Sequence, residues 1–562
     1  MMKAINKYMK ASGLFCAALA LGACSDEWDD HYDVAGGVPG SNVTLWETMN
    51  ANSQLSNFTK VLEACGYKPS LAGNQVFTVF APTNDNLTTE DADGIISLYN
   101  QEKAAGVINK DNKAIKEFVQ NHIALYNHSV AKTGADTTIV MMNGKYQTLG
   151  PAAFAGQSLL TKNQLTKNGV LFTMGSPAEY LPNVFEYLEK DDALDSIASF
   201  LYSYNNYEFD PDQSVPGEIV DGETTYLDSV KVLKNDVLRR YIGEVNEEDS
   251  VFWMLAPNNE QWKAMIDQYS SFYNYDNTVV NRDSLSNLWA HLAVSMGTVF
   301  SMSNNTESSL RDSAYSVNAI PASMREQVYG FKDARPYIYD RPFDAGGVFE
   351  NAEMIKCSNG YVLKVPNWNL TPDLTFLRRI KVEAENTSYR KEYAETASRI
   401  PTIVTVSPDN KEFYNKISGN KYLELLSVSK DSKPSVTFNI SNVLSSVPYD
   451  IKLVMAPALA GDTLATDEQR KLLLVTTTLG WNKQDGSETT KQLQRRMEVQ
   501  KDVVDTLLLA EDFVFETCSY DLDTPQVTLK IESSGRPSGS KKDQYQTSLR
   551  IDCIILEPKF AK

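Results

Sequence analysis

The stretch that decides the fold is Val76–Asn84, VFTVFAPTN, which recurs in altered form at Val251–Asn259, VFWMLAPNN. Each copy is an apolar run of strand length that stops at a proline, and the polar residues that follow are suited to cap the N-terminus of a helix. An amphipathic segment precedes each copy, at 45–62 and 184–201, with apolar residues at three- and four-residue steps. The sequence therefore predicts the same helix and strand arrangement twice in tandem.

Two shorter matches follow in the same order in both copies. His122 corresponds to His291, and the dipeptide Asn168-Gly169 corresponds to Asn359-Gly360. The opening helix and the strand are farther apart in the second copy, and the extra residues near 205–250 are rich in Asp and Glu. We interpret these residues as an acidic insertion that lies on the surface and has no core of its own.

This order of an opening helix, the VFTVFAPTN strand, a helical segment containing NH and a late NGVL strand resembles the fasciclin domain. The resemblance implies an α+β fold, a wedge of short strands with flanking helices, for residues 42–182 and more loosely for residues 183–378. It also implies a non-enzymatic module for adhesion or interaction. We expect His122 and His291 to be hydrogen-bonded core residues, because a lone histidine on an apolar face lacks a second metal ligand nearby.

The last third of the chain, residues 379–562, loses helical periodicity and contains short β-type runs separated by turns. Eight runs are predicted as strands, at 380–385, 422–428, 435–440, 450–455, 472–477, 513–518, 526–531 and 548–556. Such a series indicates an antiparallel β-sandwich. KVEAEN at Lys381–Asn386, SGNKYLEL at Ser418–Leu425 and LRIDCIILEP at Leu549–Pro558 resemble strands of galactose-binding-like jelly-roll carbohydrate-binding modules. The predicted fold class is multidomain, with two α+β fasciclin-like domains followed by a jelly-roll β-sandwich.

Glu383 and Glu385 are two residues apart on the first strand of this sandwich, so both carboxylates point to one face, about 7 Å apart by strand rise. In the modules that the strand resembles, this face carries a structural calcium ion, which an acidic residue of the last strand also binds. The resemblance places Asp552 at that position. A calcium site at these three residues and a solvated or hydrogen-bonded acidic face both remain open from the sequence.

Residues 1–23 have the features of a secretory signal peptide, with lysines ahead of the short apolar stretch 13–23. Leu21-Gly22-Ala23-Cys24 resembles a bacterial lipobox, which implies cleavage before Cys24 and lipidation of its sulfur. The acidic run Ser25–Asp30 resembles the surface-export signal of Bacteroidetes lipoproteins, with a plain acidic tether as the alternative. Residues 24–41 are therefore expected to tether the protein to the outer membrane, facing the cell exterior, with membrane contact only through the lipid anchor.

Charge and composition exclude several classes of function. The 562 residues include 72 Asp and Glu against 53 Lys and Arg, a net charge of -19, which opposes nucleic-acid binding. The chain has four histidines, no motif of a zinc protease, serine hydrolase or nucleotide-binding loop, and no sign of a catalytic cofactor. We expect buried reduced thiols rather than disulfides at the cysteines beyond Cys24, which are Cys65, Cys357, Cys518 and Cys553.

Three functions are consistent with these observations. The leading hypothesis is a non-catalytic surface lipoprotein that binds a glycan or a partner protein, and the resemblance implies an accessory role in a starch-utilisation-type outer-membrane transporter complex. The second is an adhesin for host or neighbouring-cell protein, and the third is an extracytoplasmic glycoside hydrolase, which needs only two carboxylates. Sugar binding predicts exposed aromatic side chains, which the tyrosine-rich segments 202–207 and 269–275 supply unless they pack helices.

Overall fold

The computed structural model describes residues 42–109, 111–131, 134–209, 215–220, 223–228, 231–301, 306–317 and 337–560. The expected signal peptide, the tether and Cys24 lie outside these ranges. Within them, no helix combines the length and the apolar character needed to cross a membrane. The chain divides into two compact units, one ending at Leu181 and the other beginning at Pro182.

The first unit combines helices with one mixed sheet. Its elements are α1 (Leu45–Asn50), α2 (Ser56–Ala64), α3 (Lys68–Ala72), β1 (Phe77–Pro82), α4 (Thr89–Ala104), β2 (Ile123–Leu125), β3 (Thr137–Val140), β4 (Tyr146–Leu149), β5 (Ala153–Phe154), β6 (Gln157–Thr166) and β7 (Gly169–Met174). The strand order is β2-β1-β7-β6-β5-β4-β3. A bridge between Ala124 in β2 and Met141, directly after β3, joins the two ends of the sheet.

The apolar run within Val76–Asn84 forms β1, which is buried over its whole length. Its Phe77 and Val79 pack against the opening helices α1 and α2, whereas Phe80 packs against Phe154 and Phe172 on the opposite face. Because β1 is covered on both faces, it carries a continuous apolar run instead of an alternation of apolar and polar residues.

Asn168, directly before β7, fixes the opening helix to the sheet. Its side-chain oxygen accepts the N–H of Leu45 at 2.8 Å, and its amide donates to the Leu71 carbonyl at 2.9 Å. Gly169 follows with φ of 152°, and a Cβ at this position would lie 1.9 Å from the Phe77 carbonyl oxygen. The close approach of β1 and β7 therefore requires glycine here.

The second unit begins with a second α+β arrangement. Its elements are α5 (Val184–Lys190), α6 (Asp195–Tyr202), β8 (Asn205–Phe209), β9 (Val215–Val220), β10 (Glu223–Asp228), β11 (Lys231–Asn235), β12 (Phe252–Leu255), α7 (Asn259–Tyr269), α8 (Arg282–Ser295), β13 (Val299–Ser301), α9 (Glu307–Asp312), β14 (Ser313–Tyr315), β15 (Ile338–Asp340), β16 (Glu353–Cys357) and β17 (Gly360–Lys364). The central sheet has the order β13-β12-β17-β16.

The predicted duplication is confirmed by the registers of the two sheets. β1 pairs in parallel with β7, Phe77 opposite Gly169, and β12 pairs in parallel with β17, Phe252 opposite Gly360. Asn359 corresponds to Asn168, because its side-chain oxygen accepts the N–H of Val184 at 2.8 Å. We call these two asparagines the anchors of the opening helices. The structural equivalence therefore extends to the hydrogen bonds that position the opening helices.

The rest of the second unit is the predicted antiparallel β-sandwich. Its elements are β18 (Ile380–Glu383), β19 (Arg390–Tyr393), β20 (Thr402–Thr405), β21 (Lys421–Leu425), β22 (Ser435–Ile440), β23 (Pro448–Met455), α10 (Ala458–Gly461), β24 (Leu472–Asn482), β25 (Glu488–Val499), β26 (Asp505–Val514), β27 (Val527–Ser533), β28 (Tyr545–Gln546) and β29 (Leu549–Pro558). One sheet has the order β20-β21-β29-β23-β26 with β18 also paired to β29, and the other has the order β19-β22-β27-β24-β25 with β28 paired to β24.

One of the eight predicted strands is misplaced, and the sequence does not predict four strands of the sandwich, β19, β20, β25 and β28. The strand expected at 513–518 is instead the end of β26, which begins at Asp505 and stops at Val514. The buried Phe515 belongs to the loop that follows. The long strand β25 was not predicted at all. It is an edge strand with polar residues on both faces, so its sequence lacks the alternation that identifies a half-buried strand.

The expectation that the insertion near 205–250 has no core is also wrong for its C-terminal part. The strands pair as β8 with β11 and β9 with β10, as in a surface excursion. The residues after β11, however, include four apolar side chains buried in the core of the second unit, Val237, Leu238, Ile242 and Val245. A charge-rich composition masked this short apolar stretch, which folds back onto the fasciclin-like part.

Candidate functional site

The pairing of the first and last sandwich strands brings together Glu383 and Asp552, two of the three predicted calcium ligands. β18 pairs antiparallel with β29, and Glu383 lies opposite Cys553. Because Ile380 and Val382 are buried in the core, Glu383 points to the other face of the sheet. An irregularity in β29 between Ile551 and Cys553 places Asp552 beside it, and the Asp552 carbonyl accepts the N–H of Ala384 at 3.0 Å.

These side chains form a compact cluster beneath the turn that contains Ser418. Ligand atoms of Glu383, Asp552 and Cys553 all lie within 4.8 Å of one another. The backbone N–H of Ser418 donates to both carboxylate oxygens of Asp552, at 3.1 and 3.2 Å, and its hydroxyl donates to Glu383 Oε1 at 2.6 Å. Lys381 forms an ion pair with Glu383 at 2.9 Å and supplies the nearest positive charge.

Glu385 lies in a turn two residues beyond the end of β18, so the expectation that it shares a strand face with Glu383 is wrong, although it approaches the same Ser418 turn. A Cβ built on Gly419, whose φ is +55°, would lie 3.6 Å from Glu385 Oε1. Glu383 Oε2 and Glu385 Oε2 are both buried and have no hydrogen-bond partner in the described part of the chain. Buried carboxylate oxygens without a donor are unfavourable, so this pair calls for protons or a cation.

Burial raises the pKa of two of these carboxyl groups. The pKa of Glu385 rises to about 7, mainly through burial and further through the charge of Glu383. The pKa of Asp552 also rises to about 7 through burial, against the lowering effect of the Ser418 N–H. Near neutral pH both carboxyl groups are therefore partly protonated, and a cation that binds the ionised form competes with those protons.

The donor set fits a cation that prefers oxygen ligands. Calcium takes carboxylate, carbonyl and water oxygens, and the three acidic side chains supply the carboxylates. Cys553 does not add a thiolate, because burial and the charge of Asp552 raise its pKa. A metal that prefers sulfur is therefore a poor match for this cluster.

Sequence reasoning missed two members of the cluster, Lys381 and Ser418. Lys381 shares a strand face with Glu383, so the alternation of the strand carried the signal for it. Ser418 begins the SGNKYLEL segment, but nothing in its own sequence shows that the turn covers β18 and β29. That contact exists only because the sandwich brings residues 418 and 552 together.

The two histidines of the repeat are structural in different ways. His122 is buried, donates from Nδ1 to the Phe118 carbonyl at 2.7 Å and accepts the N–H of Ala178 at Nε2 at 2.9 Å. Burial lowers its pKa to about 4, so the ring is neutral near pH 7. The expectation of a hydrogen-bonded core residue is confirmed for His122.

His291 is only partly buried, so the same expectation is met less completely in the second copy. Its ring lies 5.0 Å from the ring of Phe200 and 5.5 Å from that of Trp262, and its Nδ1 donates to the Asn287 carbonyl at 2.6 Å. Neither histidine belongs to a group of metal-binding side chains in the described ranges. Both therefore serve packing.

The expected cysteine chemistry is confirmed. The four cysteines of the described ranges form no disulfide and are all buried. Cys518 and Cys553 lie in the same sandwich as reduced thiols. Burial raises the pKa of Cys518 to about 12, so it is an unreactive core residue.

The tyrosine-rich segment 269–275 is not an exposed sugar platform. Tyr269, Phe272, Tyr273 and Tyr275 are buried, and the segment Ser271–Thr278 lies against one end of the sandwich. There it hydrogen-bonds to three loops, 441–447, 483–487 and 515–526. The loop end of the sandwich is therefore covered by the fasciclin-like part of the same unit.

Polar contacts stabilise the packing of residues 271–278 against the sandwich. The Tyr275 hydroxyl donates to the Tyr520 carbonyl at 2.9 Å. The fully buried Asp276 accepts from the side-chain amide of Asn482 at 2.9 Å and from the N–H of Thr278 at 2.7 Å, which keeps its pKa low despite burial. A buried carboxylate that is fully hydrogen-bonded needs no cation. Asp276 is thus a structural acid, unlike Glu385 and Asp552.

Comparison with known proteins adds family information for part of the chain. Residues 53–176 match the Fasciclin domain family. Among solved structures, a FAS1 domain pair from the insect cell adhesion molecule fasciclin I covers 58% of this chain and 99% of its own chain, with 12% identity and a TM-score of 0.18. No curated protein sequence matches this chain significantly.

Two further structural neighbours are named as carbohydrate-binding modules. The CBM22-1 xylan-binding domain from Paenibacillus barcinonensis is covered over 95% of its chain by 33% of this one, with 12% identity and a TM-score of 0.20. The Clostridium perfringens module CpGH89CBM32-4 is covered over 94% by 28% of this chain, with 9% identity and a TM-score of 0.15. These TM-scores are too low to carry an argument about ligands, and the strand topology supports the sandwich fold by itself.

Proposed function

We propose that this chain is a non-catalytic, lipid-anchored binding protein of the outer cell surface that recognises a glycan or a partner protein. The observation that carries the proposal is that the acidic cluster of Glu383, Glu385 and Asp552, in which burial raises the pKa of the last two, does not open onto a cleft. The unpartnered oxygens of Glu383 and Glu385 are buried from solvent, and the Ser418 turn covers the cluster. A glycosidase needs its carboxyl pair on either side of an open substrate cleft. The cluster is thus suited to holding a structural ion, and the fasciclin match at 53–176 favours binding or adhesion.

We assign calcium to this cluster as a structural ion. Glu383, Glu385 and Asp552 would hold it and, once bound, it would neutralise carboxylates that otherwise repel one another. The ion would connect β18, β29 and the Ser418 turn, which lie far apart in the sequence. Its role would be to stabilise the sandwich, with no part in a reaction.

The position of the lipid anchor completes the proposal. Acylation at Cys24 after removal of residues 1–23 would place the binding units at the end of an acidic, Gly- and Pro-containing tether. This arrangement suits an accessory protein of a glycan-uptake system of the outer membrane. Replacement of Cys24 by Ala is expected to abolish fatty-acid labelling and membrane partitioning without unfolding the protein, and protease added to intact cells should degrade only a surface-exposed protein.

Ligand class is tested with the chain from Ser25 onward, which lacks the acylated cysteine. A glycan array and a pull-down of surface proteins are run in parallel, together with a reducing-sugar assay on every glycan that binds. Binding to a glycan class or to a discrete partner without sugar release supports the proposal. Sugar release that is lost in Glu383→Gln or Asp552→Asn would overturn it in favour of a hydrolase, and the absence of any ligand would overturn it as well.

Adhesion to protein is a second candidate, favoured by an exposed apolar row on the first unit. Val140 lies opposite Tyr146 in the β3–β4 pair, and these side chains are 48% and 45% exposed. Tyr126, nearby at the end of β2, is 73% exposed. If this row binds a protein, Val140→Ser and Tyr146→Ser should abolish capture of that partner. Leu160→Ser, which changes another exposed apolar residue of the same unit, is the matched control.

A further inference from the structure

Lys381 is the only residue of the described part of the chain that forms an ion pair with the acidic cluster of Glu383, Glu385 and Asp552. Its Nζ lies 2.9 Å from Glu383 Oε1, and the two side chains are 20% and 14% exposed. The same ammonium donates to the Ser418 hydroxyl, which in turn donates to Glu383 Oε1 at 2.6 Å. Two direct contacts therefore hold Lys381 against the cluster.

The charge of Lys381 also acts on the two acids that it does not touch. Burial raises the pKa of Glu385 and of Asp552, and the positive charge of Lys381 works against this rise in both groups. The exposed Lys421 has a smaller effect of the same sign on Glu385. One ammonium group therefore serves as the main counter-ion of three carboxyl groups.

A single ammonium group cannot neutralise three carboxylates. When all three acids are ionised, two negative charges remain, and Glu383 Oε2 and Glu385 Oε2 are buried without a hydrogen-bond donor in the described ranges. A nearby ion pair of the same sandwich is balanced, because Arg550 donates to Glu424 at 2.8 Å, one cation for one carboxylate. The charge left over beside Lys381 equals that of one calcium ion, which prefers oxygen ligands of this kind.

We propose that Lys381 is an internal counter-ion of this cluster and that its charge sets the calcium affinity of the site. This inference rests on the calcium assignment of the proposed function and concerns the regulation of that site. Without calcium, the ammonium offsets part of the repulsion among the carboxylates. With calcium bound, two cations share Glu383, so Lys381 repels the ion and weakens its binding. The sandwich thus keeps one counter-ion where calcium is scarce, and the site fills only where calcium is abundant.

Calorimetric titration of the chain from Ser25 onward with calcium chloride at pH 8 tests the role of this charge. Lys381→Met should bind calcium about tenfold more tightly than wild type, because the ion no longer meets a second cation at Glu383. Lys381→Arg keeps the charge and should bind calcium as wild type does. Lys391→Met, which removes an exposed lysine of β19 in the other sheet, is the matched control and should leave the affinity unchanged.

The unfolding temperature of the second unit provides an independent readout. In chelator at pH 8, Lys381→Met should unfold at a lower temperature than wild type, because the carboxylates have lost their counter-ion. Added calcium should then raise this temperature more in Lys381→Met than in wild type. If wild type binds calcium, an equal or weaker affinity in Lys381→Met, or an unchanged unfolding temperature in chelator, would overturn the inference alone. If wild type binds no calcium, the calcium assignment is wrong and the inference falls with it, whereas binding of a glycan or partner protein is unaffected.

Discussion

The two fasciclin-like copies keep the same anchor but differ in what covers their central strands. In the first copy, β3 to β6 extend the sheet, and Phe80 stacks at 3.7 Å on Phe154 within the same unit. In the second copy the central sheet has four strands, and the segment 271–278 and Trp289 pack against the sandwich instead. The hydrogen bond from the opening helix to Asn168 or Asn359 is the same in both copies. The surfaces farther from these anchors differ, because the sheet of the first copy has seven strands and the second copy packs against the sandwich.

Because of this difference, a destabilising substitution in the core of the first copy should affect only the first unit, whereas one in the core of the second copy should also destabilise the sandwich. The first copy has a core confined to its own unit, while buried residues of the second copy belong to one core cluster with the sandwich. Calorimetry of the chain from Ser25 onward should therefore resolve one transition for each compact unit, and a substitution in either half of the second unit should move the same transition.

The largest expected effects come from truncating the equivalent core residues Phe80 and Leu255. Both are fully buried. Truncation to Ala should reduce the free energy of unfolding by about 3–5 kcal/mol for Phe80 and by about 2–5 kcal/mol for Leu255. Phe80→Ala should lower only the transition of the first unit. Leu255→Ala should lower the transition that includes the sandwich, measured with a near-ultraviolet signal from Trp481. A sandwich transition that does not move in Leu255→Ala would show that the two parts of the second unit unfold independently.

Replacing the two anchors compares the copies at the level of hydrogen bonds. Asn168 and Asn359 each hold a helix N-terminus and accept or donate at least two buried hydrogen bonds. Each Asn→Ala change should therefore cost about 2–3 kcal/mol, because backbone groups of the opening helix and of a loop lose their partners. Denaturant unfolding monitored by circular dichroism measures this loss. A cost below about 0.5 kcal/mol in either copy would break the equivalence of the anchors.

The sequence predicted these repeated features because each one is local. The apolar strand, the proline that ends it and the Asn-Gly pair are short patterns that two copies display side by side. The approach of Glu383 to Asp552 followed from the pairing of the first and last strands, whereas Glu385 reaches the cluster from a turn that strand alternation does not describe. The Asp276–Asn482 contact and the Ser418 turn could not be predicted, because each joins segments that have no pattern in common.

Acidic pH should affect the stability of the two units differently, because His122 belongs to the first unit only. Its pKa of about 4 lies below the ordinary value of 6.5, so the folded first unit binds fewer protons than the unfolded chain between these values. Stability is therefore full above pH 6.5 and falls as the pH drops toward 4, by about 2 kcal/mol between pH 7 and pH 5. His122→Asn should flatten this slope for the first unit, and His128→Asn should leave it unchanged. An unchanged slope in His122→Asn would contradict the assignment.

The smallest expected effect, and the opposite pH dependence, belongs to the calcium cluster of the second unit. Glu385 and Asp552 have pKa values of about 7, above their ordinary values of 4.5 and 3.8, so the folded state holds extra protons in this window. Without calcium, the contribution of these groups is full below pH 4 and is lost as the pH rises through 7. Calcium binds the ionised form and should restore stability most at pH 8, by about 1 kcal/mol at millimolar calcium if the affinity is that of an extracellular module. Chelator should therefore lower the second transition at pH 8, have little effect at pH 5, and have none in Asp552→Asn. Equal melting curves with calcium and with chelator at pH 8 would contradict the calcium assignment without contradicting the sandwich fold.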